Sequence, residues 1–137
     1  MKYFLCSACG NIAELVRDGG HPLVCCGEKM RPLDEEGMIG PAEKHLPKVS
    51  SDGDTVTVSV AETAHPMSEE HYIGWIALIT DKGTQRKAFK PSDAPEAIFP
   101  ILKGEKPLDV YAFCNLHGLW HKGLAEDGCG KSGKCDI

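Results

Sequence analysis

Thr55-Val56-Thr57-Val58-Ser59-Val60 alternates polar and apolar residues with a period of two, and it follows the turn-rich Ser50-Ser51-Asp52-Gly53-Asp54. That period belongs to a strand with one face in a core and the other toward solvent. Ile73-Gly74-Trp75-Ile76-Ala77-Leu78-Ile79 is short, mostly apolar, and β-branched or aromatic. Asp81-Lys82-Gly83 then supplies a turn into Gln85-Arg86-Lys87-Ala88-Phe89, which predicts a hairpin. Val110-Tyr111-Ala112-Phe113 reads as a further strand that delivers Cys114 at its end. Pro91, Pro95, Pro100 and Pro107 break up the segment before it, where residues 94–102 have room for a short turn of helix. Repeated short strands of this kind predict a mainly β chain whose larger part is an antiparallel β-sandwich. No internal repeat is visible.

The 137 residues carry 15 Lys plus Arg against 20 Asp plus Glu, a net charge of −5. A nucleic-acid footprint needs a concentrated basic surface, so nucleic acid is not an expected partner. A hydrophobic content of 42% is enough for a modest core, which argues against disorder as the main state. No apolar run approaches the roughly 20 residues of a membrane-spanning helix, and Met1-Lys2-Tyr3-Phe4-Leu5-Cys6 lacks the apolar core of a secretion signal. The cytoplasm is the expected compartment, with no membrane partner. Seven cysteines cannot all pair internally, and thiols in a reducing compartment point first to metal.

Cys6, Cys9, Cys25 and Cys26 lie in a Gly-rich beginning that is short on apolar periodicity, which suggests turns wrapped around a metal in place of a packed core. The acidic stretch from Leu33 to Pro41 ends in Gly-Pro and reads as the linker, with a boundary near Glu36. This gives a small module over residues 1–36, a sandwich over 37–125, and a Gly- and Lys-containing tail over 126–137. Cys6-Ser7-Ala8-Cys9 followed by Gly10 has the spacing of a tight knuckle that points two thiolates at one metal. With Cys25 and Cys26 the donors suit a closed tetrahedral site for iron or zinc. The adjacent pair predicts a distorted tetrahedron. A structural zinc knuckle, a Cys25–Cys26 disulfide and a thioredoxin-like pair are the alternatives, and the last lacks its βαβ context.

A second set of donors follows: His45 in Glu43-Lys44-His45-Leu46-Pro47, His65 in His65-Pro66-Met67, His71 in Glu69-Glu70-His71-Tyr72-Ile73, and Cys114-Asn115-Leu116-His117. Cys114 and His117 have chelate spacing at a strand end, and the others sit at loop-to-strand junctions that a sandwich gathers at one edge. Four imidazoles and one thiolate exceed what structural zinc uses and leave a sixth octahedral position open for iron.

In this order, these segments together with Lys90-Pro91-Ser92-Asp93-Ala94-Pro95-Glu96-Ala97 and the run from Cys114 to Trp120 resemble desulfoferrodoxin, the two-iron superoxide reductase. The N-terminal cysteines resemble its desulforedoxin-type module, and the likeness runs from about Tyr3 to Trp120. It implies an immunoglobulin-like sandwich with His45, His65, His71 and His117 as equatorial iron ligands and Cys114 as the axial thiolate. Superoxide would be reduced to hydrogen peroxide at the position opposite the sulfur. Lys44 would attract the anion and orient water for protonation, with Lys48 adding to the field, and Glu43 would occupy the sixth position in the oxidised state. The resemblance also favours iron over zinc in the cysteine site. It implies a rubredoxin-type electron donor and a homodimer.

His121 creates a zinc-like spacing after His117, but the family ligand set stops at His117. His121 is therefore expected at the surface, His21 in the loop of the small module, and Trp75 and Trp120 in the core or the site wall. Cys129 and Cys135 depart from the family pattern. Two other functions fit the same residues: an electron-transfer or metal-binding protein working through the cysteine site, and a superoxide dismutase.

Overall fold

The computed structural model describes residues 2–33, 47–60 and 67–124. The chain divides into two compact units, Met1–Gly37 and Met38–Ile137. The proposed linker boundary at Glu36 lies outside the described residues, as do Glu43, Lys44, His45, His65, Cys129 and Cys135.

The first unit contains β1 (Lys2–Leu5), β2 (Ile12–Leu15), β3 (Val24–Cys25), β4 (Glu28–Lys29) and β5 (Arg31–Leu33). β1 pairs antiparallel with β2 on one side and β5 on the other, and β3 with β4 forms a separate two-stranded ribbon. The sheet is an addition to the expected run of turns. Its strands escaped the periodicity argument because each is four residues or fewer. Among the described residues of this unit, only Tyr3 and Cys6 are buried apolar side chains. A core that small cannot by itself offset the ordering entropy of the chain, and a bound metal is the usual remedy.

The second unit contains β6 (Pro47–Ser51), β7 (Thr55–Val60), β8 (Ile73–Thr80), β9 (Thr84–Ala88), β10 (Glu96–Pro100), β11 (Pro107–Cys114) and β12 (Gly118–Gly123). They form antiparallel sheets in the orders β10-β7-β6 and β12-β11-β8-β9. The three-plus-four division is that of an immunoglobulin-like sandwich. Val56, Val58 and Val60 are at most 2% exposed, so the alternation in β7 does place one face in the core. They pack with Ile73, Ile76, Leu78, Val110 and Ala112 from the other sheet. Leu78 is fully buried, so Leu78→Ala should cost about 2–5 kcal/mol through lost transfer energy and a residual cavity. Denaturant unfolding would read this as a lowered midpoint with an unchanged slope.

The expected turn of helix over 94–102 is instead strand β10, which pairs with β7 from Glu96↔Ser59 to Pro100↔Thr55. Ala97 and Phe99 alternate into the core while Ile98 stays 60% exposed, so tertiary pairing overrides local propensity. Pro100 is tolerated because β10 lies at the edge of its sheet.

Candidate metal centres

Adjacent residues of a strand point to opposite faces, so Cys25 and Cys26 would diverge if the chain continued straight. It does not. Cys26 and Gly27 have φ of 54° and 76°, the left-handed pair that a type I′ hairpin turn requires between β3 and β4. The turn brings the two sulfurs to 4.0 Å. Such a conformation at a non-glycine residue costs on the order of 1–2 kcal/mol, so Cys26 occupies it against its backbone preference.

The other arm is the knuckle after β1. The Cys6 amide donates to the Asn11 carbonyl at 2.8 Å, the Gly10 amide donates to the Cys6 carbonyl at 2.9 Å, and Gly10 itself has φ of 82°. All four sulfurs lie within 4.8 Å of one another, and Cys9 and Cys25 are 3.6 Å apart. A regular tetrahedron with metal–sulfur bonds of about 2.3 Å has edges of about 3.8 Å, so these separations suit a single ion.

The backbone N–H of Cys9 holds the Cys6 thiol down to about 7, helped by the Ala8 N–H and against the effect of burial. Its neighbours move the other way. Hydrogen bonds with Cys9 and then Cys6 raise the Cys25 thiol, and with Cys25 they push Cys26 up to about 12. Four thiolates this close repel one another, and a cation would replace the protons they otherwise keep. The Asn11 side-chain amide donates to the Cys25 sulfur at 3.6 Å. No spacing rule had marked Asn11.

In the second unit, Cys114 is in phase with Val110 and Ala112 along β11, so the period of two carries its sulfur onto the core face with 0% exposure. The register of β8 against β11 slips there: Phe113 faces Trp75, whereas Cys114 faces Ile73. Gly74 is the extra residue, a bulge that lets odd-numbered Ile73 face the core together with Ile76 and Leu78. A Cβ on Gly74 would stand 3.3 Å from the Phe113 ring, which stacks on Trp75 at 5.8 Å between centroids.

After Cys114 the chain turns through Asn115, Leu116 and His117 and re-enters the sheet at Gly118, whose φ is 87°. This places His117 Nδ1 3.6 Å from the Cys114 sulfur. His71 arrives from the loop before β8, its ring edge-on to that of His117 with centroids 4.8 Å apart. Ligand atoms of His71, Cys114 and His117 all lie within 4.8 Å of one another. Burial raises the Cys114 thiol, opposed by the Leu116 and His117 backbone N–H groups aimed at its sulfur. A buried thiolate needs a cation beside it, and imidazole with thiolate is a donor set for iron or zinc.

His121 is half-buried and bonds Asp109 at 2.7 Å while stacking on Tyr111, and it is not part of this cluster. His21 is exposed, and Trp120 is 4% exposed in the second unit.

Two all-β units, one gathering four thiols and the other a buried thiol with imidazoles at a sandwich end, define a class of small proteins built around soft metal-ligating clusters. The family model described as desulfoferrodoxin matches residues 38–123, and that described as the desulfoferrodoxin N-terminal domain matches residues 1–33. The chain is 43% identical over 120 residues to the desulfoferrodoxin of Syntrophotalea carbinolica, covering 88% of this chain and 94% of that one. It is 44% identical over 119 residues to the desulfoferrodoxin of Nitratidesulfovibrio vulgaris, covering 87% and 93%. The crystal structure of the superoxide reductase from Treponema pallidum superposes with a TM-score of 0.74 at 36% identity, covering 88% of this chain and 95% of that chain. The chain belongs to the desulfoferrodoxin family.

Proposed function

We propose that this protein is a superoxide reductase that converts superoxide to hydrogen peroxide. The observation that carries the reading is the convergence of His71, Cys114 and His117, within 4.8 Å, in a chain similar along most of its length to a solved superoxide reductase. Those residues fit an iron ion, and His45 and His65, from segments outside the described residues, complete the set of four imidazoles and one thiolate. Iron held there would supply one electron, which with two protons converts superoxide to hydrogen peroxide. The Cys114 sulfur would donate electron density to iron held there, and the backbone N–H groups of Leu116 and His117 favour its ionised form against the effect of burial.

Superoxide is an anion approaching a protein of net charge −5, so a local positive field is needed. Lys44, beside His45, supplies it and orients the water that delivers protons, with Lys48 adding to the field. Such steering is worth about tenfold or more in association rate. Lys44→Ala should therefore slow the second-order reaction and flatten its salt dependence while leaving the iron spectrum in place. An unchanged rate and salt slope would remove Lys44 from the mechanism. Glu43 would serve as an exchangeable carboxylate donor to iron held by these residues.

Cys6, Cys9, Cys25 and Cys26 hold a second metal, which the ligand set alone allows to be iron or zinc and the family favours as iron. A rubredoxin-type protein returns the electron, and two copies of the chain form the working dimer. The module boundaries are residues 1–36 and 37–125, followed by a tail over 126–137. Stopped-flow mixing of the reduced, iron-loaded protein with superoxide tests the activity. Iron should oxidise in step with superoxide loss. Superoxide decay at the rate of buffer alone would leave a non-enzymatic electron-transfer or metal-binding protein.

A further inference from the structure

We infer that Asn115 is a positioning residue that clasps the His71 loop to the Cys114–His117 turn and so preorganises the metal site. The inference rests on the reading of His71, Cys114 and His117 as ligands.

The ladder between β8 and β11 ends at the Cys114↔Ile73 pair. Beyond it the Asn115 amide still donates to the Tyr72 carbonyl at 3.2 Å. The main chain must then leave the sheet to bring His117 back toward Cys114, and the next peptide group of the ladder is lost. The Asn115 side chain takes its place. Its Oδ1 accepts from the Tyr72 amide at 2.8 Å, and its Nδ2 donates to the Glu70 carbonyl at 3.0 Å. These two bonds bracket His71 on both sides along the chain. The His71 loop is closed internally by Ser68, whose Oγ accepts from the His71 amide at 3.2 Å. The two side-chain bonds add to the main-chain bond from the Asn115 amide to Tyr72 in tying that loop to the turn carrying Cys114 and His117.

The side chain has to be a short primary amide. It must accept from the Tyr72 N–H and donate to the Glu70 carbonyl from two separate atoms, which Asn does; an ionised carboxylate has no donor, and a hydroxyl carries both functions on one oxygen. Aspartate keeps the acceptor for Tyr72 but presents oxygen to the Glu70 carbonyl. Alanine loses both bonds. Asn115 is exposed, so its bonds are cheap to lose for the fold as a whole, yet they fix two loops whose side chains must meet at one ion.

Cobalt(II) titration of the full-length, metal-free, reduced protein tests the clasp, with Cys114→Ser providing the spectrum of the four-cysteine centre alone. Asn115→Ala should weaken cobalt binding at the His–Cys site by about ten- to a hundredfold while leaving the four-cysteine bands unchanged. Asn115→Asp should show a smaller loss in the same direction, and it serves if the alanine variant does not fold. Parental cobalt affinity at that site in a folded variant would overturn the proposal, even with a lowered unfolding temperature, because it would show a merely structural role. A parent spectrum that Cys114→Ser does not alter would overturn the ligand reading itself, and the clasp with it.

Discussion

Replacing Cys114 with Ser is expected to abolish the thiolate-to-iron optical band and to lower the rate with superoxide by more than about a hundredfold. Disturbing residues that merely support a metal ligand costs ten- to a hundredfold, so removing a ligand outright sets that range as a floor. The two losses should appear together because both depend on sulfur donating density to the metal. The fold should persist: serine is nearly the same size as cysteine, and it is placed at a strand end, where the turn to Gly118 gives the hydroxyl backbone groups to bond. Absorbance after anaerobic iron loading and pulsed superoxide kinetics would measure the two effects. Full activity without the band would remove Cys114 from the catalytic iron.

The second large effect is expected at Cys26. Asn-Gly is the preferred pair for a type I′ turn, and Cys26-Gly27 already has both positive φ angles. Cys26→Asn therefore preserves or relieves the turn while deleting one of the four sulfurs. Metal affinity of the N-terminal unit should drop by at least about a hundredfold, and its backbone amides should lose hydrogen-exchange protection, since Tyr3 and Cys6 are its only buried apolar side chains among the described residues. Protection in the second unit, which has its own core, should be little changed. Metal retention against a chelator equal to that of the parent would show that Cys26 is not a ligand and that its strained turn needs another explanation.

The sandwich was legible because its main signals are periodic. Thr55–Val60 alternates, and the same period in Val110 to Phe113 carries straight on to Cys114. Strand β10 was hidden because proline at 95 and 100 reads as a break unless the strand is known to lie at an edge. The strands of the first unit were hidden by their shortness. Candidate ligands His71, Cys114 and His117 stood out by residue type and spacing, and the structure brings them together. What could not be read was how two segments 43 residues apart are held in register: the Gly74 bulge and the Asn115 bonds exist only once β8 and β11 pair. Likewise the Cys25–Cys26 pair announced a distortion, but its form, a left-handed cysteine in a type I′ turn, emerges only from backbone angles.

A superoxide reductase reduces superoxide without also oxidising it. The anaerobically reduced, iron-loaded protein should be mixed with a known dose of superoxide and the hydrogen peroxide counted. About one peroxide is expected for each superoxide consumed, with iron oxidised in step. A yield of about half, with oxygen evolved, would contradict it and make the protein a dismutase.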